Sequence, residues 1–207
     1  MTKIALARNA VTGLAIRPLV LAAPLAVLAL SGCVSIGAGK PPRALLDLTP
    51  TAQVKAGATS TGQYDTAIAV LEPAADQKLA VTRVPVQVNA TTVAYLKDAT
   101  WIERPTRLFQ HLLTETLRAR GGHLVLEGDI GTAQTQLGGR LLDMGYDAPS
   151  QSVVVRFEAV KTGRDGAVST RRFEDVVPGV SAEAEPVAAA LNEAANKVAG
   201  EVADWVG

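Results

Sequence analysis

The chain has 207 residues, 20 basic and 20 acidic side chains, two histidines and a single cysteine. All 20 acidic residues follow position 32, whereas Lys3, Arg8 and Arg17 precede it, so the remainder carries a formal charge of −3. That balance speaks against nucleic-acid binding, which shows a basic surplus, and one cysteine supports neither a disulfide framework nor a cysteine metal site.

The first 32 residues read as a secretory signal. The basic start leads into the apolar run Leu19–Leu30, and small residues follow before Cys33. The run is about a dozen residues, short of the roughly 20 that a spanning helix needs, and it contains Pro24. Leu30-Ser31-Gly32-Cys33 resembles a bacterial lipobox. That resemblance implies that diacylglycerol is attached to the Cys33 thiol, that the signal is cut before it, and that the new amino terminus is acylated. No other cofactor is expected. Several acyl chains anchor stably where one is marginal. Among such lipoproteins an Asp after the cysteine typically retains the protein at the inner membrane. Val34 stands there, which favours the periplasmic face of the outer membrane.

Residues 33–63 are rich in Gly, Ala, Pro, Ser and Thr and read as a flexible linker. One island, Ala44–Leu48, is a candidate edge strand. A tether of about 30 residues has a root-mean-square reach of about 30 Å. From residue 64 to 207 the texture is that of a folded domain without internal repeats.

Ala67–Pro73 is short, apolar and partly β-branched, the pattern of a buried strand. Leu79–Val88 is a further extended run in which Pro85 suggests an edge position or a break. Thr92–Leu96 continues in extended form toward Trp101-Ile102. Pro105 suits a first helical turn and Gly121-Gly122 a helix end, so a helix is expected over about 105–120. Leu108, Phe109, Leu112, Leu113, Thr116 and Leu117 form its apolar stripe. Arg107, Gln110, His111, Thr114 and Arg118 fall on the side expected to face water.

Gly139–Asp147 and Ser152–Lys161 are candidate strands of a meander. In the second, Val153, Val155, Phe157 and Ala159 alternate with Val154, Arg156, Glu158 and Val160. A turn at Thr162–Gly166 returns the chain as Ala167–Val177, which ends at Pro178-Gly179. A last helix over about 183–206 carries Val187, Leu191, Ala194, Ala195, Val198, Val202 and Val206 on one stripe. Glu183 and Glu185 complement its dipole. The expected class is α+β, an antiparallel or mixed sheet with two amphipathic helices packed on one face.

This order of elements resembles the ABC-type transport auxiliary lipoproteins, the Pqi/Ymb-like outer-membrane component of MCE-type lipid transport systems. The lipobox, Leu45-Leu46-Asp47-Leu48 and the Ala67–Pro73 strand carry the likeness. So does Val93–Pro105, where Tyr95-Leu96 precedes Trp101 and runs into the helix; the later hairpin and Ala-rich closing helix also correspond. At the amino end Ala44 and Leu45 stand where the family often has aromatic residues. The resemblance implies a non-enzymatic adaptor on the outer membrane. Its partners would be an MCE-domain protein and an ABC permease and ATPase that move phospholipid or another hydrophobic molecule. It leaves room for a homo-oligomer.

Tyr95 and Trp101 are candidates for partner docking, although an aromatic beside a helix start also serves as a core anchor. His111 and His123 lack companions at ligand spacing. Asp143, Asp147 and Glu158 are candidate acid–base carboxylates without a nucleophile, and no GxSxG, HExxH, P-loop or GxGxxG pattern follows the signal. Arg156, Arg171 and Arg172 invite either a lipid phosphate or cross-strand pairing with Glu158 or Glu174. The competing expectations are a periplasmic lipoprotein enzyme with an unrecognised site and an envelope assembly or stress lipoprotein.

Overall fold

The computed structural model describes residues 44–128, 133, 135–163 and 165–207. Cys33, the signal-like segment and the first part of the linker lie outside the described residues. The strands are β1 Ile68–Val70, β2 Ala74–Ala75, β3 Arg83–Asn89 and β4 Thr92–Thr100 before the first helix, α1 Pro105–Arg120. Then come β5 Val125–Glu127, β6 Thr135–Asp147, β7 Ser152–Thr162 and β8 Val168–Pro178, followed by α2 Ala184–Val206.

The described residues form a mixed eight-stranded sheet organised around β6. One edge of β6 pairs antiparallel with β7 along nearly its whole length, from Gln136↔Thr162 to Asp147↔Ser152. Its other edge is shared by three short parallel partners: β1 at Thr135–Leu137, β2 at Arg140–Leu141 and β3 at Tyr146–Asp147. Beyond these, β5 lies parallel to β1 and β4 antiparallel to β3. The expected meander is present as β6–β7–β8, with β8 antiparallel to β7 from Ser152↔Pro178 to Thr162↔Val168.

Several boundaries differ from the sequence expectation. β6 starts at Thr135 rather than Gly139, and β4 runs on to Thr100 rather than stopping at Leu96. β3 begins at Arg83, because Gln77–Leu79 forms a 3₁₀ turn that buries Leu79. Pro85 does not make β3 an edge strand, since β4 and β6 flank it, and the break expected there is an irregularity in the β4 ladder. Its missing N–H falls beside a register shift in the β4 ladder, and β6 pairs only with Val86 and Gln87. Gly145 matters here: a Cβ on it would lie 2.5 Å from the Pro85 carbonyl oxygen.

Both helices cover one face of the sheet. Pro105 opens α1, and Gly121 with φ 75° follows its end, a conformation that glycine adopts without a Cβ penalty. Leu108, Phe109, Leu112, Leu113 and Leu117 are buried as expected, and Phe109 meets Phe157 of β7 edge-on at 5.1 Å. Gln110 and Thr114, expected in water, are buried instead. For Gln110 the cause is that this flank of α1 lies against β1, whose Val70 carbonyl it reaches. Both polar groups are satisfied there: Gln110 Nε2 donates to the Val70 carbonyl at 2.8 Å and Thr114 Oγ1 to the Gln110 carbonyl at 2.8 Å. On α2 the stripe Val187, Leu191, Ala194, Ala195, Val198 and Val202 is buried, and Ala190, Ala199 and Ala203 join it. Among the described residues no helix is long and apolar enough to cross a membrane.

The Ala44–Leu48 island makes one parallel bridge, Leu46 to Trp101, in place of a strand. Leu46 N–H donates to the Thr100 carbonyl and Ile102 N–H to the Leu46 carbonyl, each at 2.8 Å. Leu48 then enters the core. The next residues are held by two asparagines one turn apart on α2. Thr49 N–H donates to Asn192 Oδ1 and Thr51 N–H to Asn196 Oδ1, both at 2.8 Å, while Asn196 Nδ2 returns a bond to the Thr49 carbonyl at 3.0 Å.

Candidate interaction surface

The sheet face turned away from the helices carries the polar chemistry. Alternation in β7 buries Val153, Val155, Phe157 and Ala159 beneath the helices and turns Val154, Arg156, Glu158 and Val160 outward. β6 would place Asp143 on the inner face by the same count from Leu141. A register shift between Leu141 and Asp143 changes the phase, so Asp143 sits opposite Arg156 while Met144 is buried opposite Val155.

The outward charges form a ladder of opposite signs. Arg156 Nη1 donates to Asp143 Oδ2 at 2.6 Å and its Nε to Glu174 of β8, while Lys78 also bonds Asp143. One rung along, Arg172 Nη2 donates to Glu158 Oε2 at 2.5 Å. Arg140 bonds Asp76 at the β2 end. Cross-strand pairing, the plainer of the two expectations, is what the structure shows for Arg156 and Arg172. Arg171 points to the helix side, 5.0 Å above the ring of Phe173.

A groove of about 550 Å³ opens on this face. Pro85, Gly145 and Val154 contribute apolar walls, and Lys78, Asp143 and Arg156 line one side. Lys78, Asp143 and Arg156 are matched within the ladder and Asp147 is held in the turn by Ser150, so the groove offers a mixed polar and apolar surface, and among the described residues that line it no cation is left unpaired.

The candidate residues are dispersed. Tyr95 is half-buried under the Arg83 guanidinium, 4.7 Å from its ring centroid. Trp101 is 1 % exposed and belongs to the core. A bulge at Asp98, where φ is 56°, shifts the phase of β4 between Tyr95 and Trp101, so the two do not share a surface. Asp143 and Glu158 are tied to arginines, and Asp147 accepts from the Ser150 N–H at 3.1 Å within the turn after β6. His111 Nδ1 lies 2.7 Å from Glu127 Oε1, and His123 is exposed past the end of α1. Among the described residues no three His, Cys, Asp or Glu side chains gather as a metal site.

On the helix side one ion pair stands apart. Lys197 of α2 bonds the buried Asp175 of β8, and this hydrogen bond, together with the negative charge of Asp175, raises the lysine above its ordinary value of 10.5. The pair ties α2 to β8.

The model of a known family, described as the ABC-type transport auxiliary lipoprotein component, matches residues 46–203. A protein of Xanthomonas campestris from family DUF330 superposes with a TM-score of 0.67 at 18 % identity, covering 79 % of this chain and 94 % of that one. An uncharacterised protein superposes with a TM-score of 0.61 at 15 % identity, covering 68 % and 92 %. At these identities the likeness is one of fold. No curated protein matches the chain.

Proposed function

The chain belongs to the family of ABC-type transport auxiliary lipoprotein components, and from that premise we propose that it is an adaptor held by acylated Cys33 at the periplasmic face of the outer membrane. There it would serve an MCE-type ABC system that moves phospholipid or another hydrophobic molecule between the membranes. The family match over residues 46–203 carries the reading. Two further observations support it. The Leu30–Cys33 lipobox precedes the domain, and the carboxylates that an enzyme would use are engaged in cross-strand ion pairs or a turn.

The attachment of Leu46, Leu48, Thr49 and Thr51 to the body shortens the segment available as a tether. Twelve residues separate Cys33 from Leu46, and even fully extended the thirteen steps between the two reach at most about 43–47 Å. The domain would therefore stay close to the membrane that holds Cys33, and its partner would have to cover the remaining distance.

Replacing Cys33 by Ser tests the anchor. We expect the variant to leave the outer-membrane fraction, to take up no labelled palmitate and to fail in restoring transport to a deletion strain, while the domain remains folded by circular dichroism. A variant that stays in the membrane fraction and restores transport would refute the proposal.

A further inference from the structure

The edge of the sheet at β8 carries a charge order that reads the same under a two-fold rotation, and from it we infer that β8 pairs antiparallel with β8 of a second copy about an axis through Phe173. Among the described residues β8 pairs with β7 alone, which leaves the polar backbone of an eleven-residue strand open along its other side. Such edges invite strand addition unless charges oppose it. Here the charges do not oppose all partners alike. The sequence Arg171-Arg172-Phe173-Glu174-Asp175 places two cations before the aromatic ring and two anions after it.

In an antiparallel pair centred on Phe173, Arg172 of one copy stands opposite Glu174 of the other, and Arg171 opposite Asp175. Each contact occurs twice by symmetry. Arg172 and Glu174 lie on the outer face and Arg171 and Asp175 on the helix side, so both faces match. The outer row Lys78, Asp143, Arg156, Glu174 already alternates in sign within one copy. Across the axis it continues as Arg172 and then Glu158 of the second copy, with no like charges adjacent. Thr170 and Val176 of the two copies also meet, a β-branched pair of the kind sheets favour.

Neighbouring registers fail on the same ground. Centring on Arg172 or on Glu174 sets like charges directly opposite each other, and a parallel in-register pair opposes every charge to its own kind. A slip of one residue sends the partners to opposite faces. The edge is thus closed to indiscriminate pairing and open to one arrangement of a second copy. This inference is independent of the transport reading.

The test uses the full chain in detergent, with Arg172→Glu and Glu174→Arg prepared separately. Wild type is expected to sediment as a dimer at micromolar concentration. Each variant faces like charges at two symmetric positions and should dissociate about tenfold more readily. An equal mixture of the two variants restores attraction at both positions and should recover the dimer. A monomeric wild type, an assembly unchanged by either substitution, or no recovery on mixing overturns the inference. Should either charge variant misfold, Thr170→Cys and Val176→Cys co-expressed in membranes decide the matter. A disulfide between the two chains, absent when either is expressed alone, supports the arrangement, and no disulfide overturns it.

Discussion

Trp101 shows how burial assigns a role to a residue that its chemistry leaves open. Its side chain is 1 % exposed, its backbone N–H donates to the Thr82 carbonyl at 2.8 Å, and it forms the bridge to Leu46. Among the described residues its indole N–H has no hydrogen-bond partner. Truncation to Ala removes a large buried ring and should cost about 3–5 kcal/mol. Trp101→Phe discards a donor that gains nothing from its surroundings, so its cost should fall well below that. Urea unfolding of both variants checks this. Unchanged stability in Trp101→Ala, with partner capture lost, would return Trp101 to the docking surface. The sequence could not distinguish these roles, because the parity that separates Tyr95 from Trp101 depends on a single bulge at Asp98. The same holds for Asp143, whose outward direction is set by the register shift after Leu141. Gln110 illustrates a related point: helical periodicity shows which side is apolar, but it does not show that a polar flank will reach the backbone of a neighbouring strand, here the Val70 carbonyl of β1.

At the scale of elements, the attachment of Thr49 and Thr51 to Asn192 and Asn196 defines where the folded body begins. These bonds are exposed and join residues more than 140 positions apart. Asn196→Ala removes the bonds to the Thr51 N–H and the Thr49 carbonyl. Exposed hydrogen bonds contribute modestly to global stability. We therefore expect faster amide exchange at Thr51 with little change in the melting temperature, measured by hydrogen exchange and calorimetry. Unaltered exchange at Thr51 would show that Leu46 and Leu48 hold the segment without help. No local pattern announced this attachment, since the segment reads as Pro- and Thr-rich linker. Elements with strong local signals were legible, as Pro105 and Gly121 bound α1 and the alternation of Val153–Val160 marks β7. β5 was not, because three residues are too few for a period to register, and the parallel partners of β6 meet only through tertiary folding.

For the whole molecule, the pieces converge on a body that presents one face of paired charges and keeps its apolar surface beneath two helices. The α+β class with both helices on one face follows from alternating strands and two apolar stripes. The transport role follows from the family to which residues 46–203 belong, and the anchor is proposed from four residues, Leu30–Cys33, outside the described structure. The most direct measurement is affinity capture of the full chain from detergent-solubilised envelopes, with the bound proteins identified by mass spectrometry and Cys33→Ser as the control. An MCE-domain protein should be recovered together with an ABC permease and ATPase, and all three should be depleted in the control. A wild-type chain that is fully membrane-bound yet recovers none of them would contradict the proposed transport role.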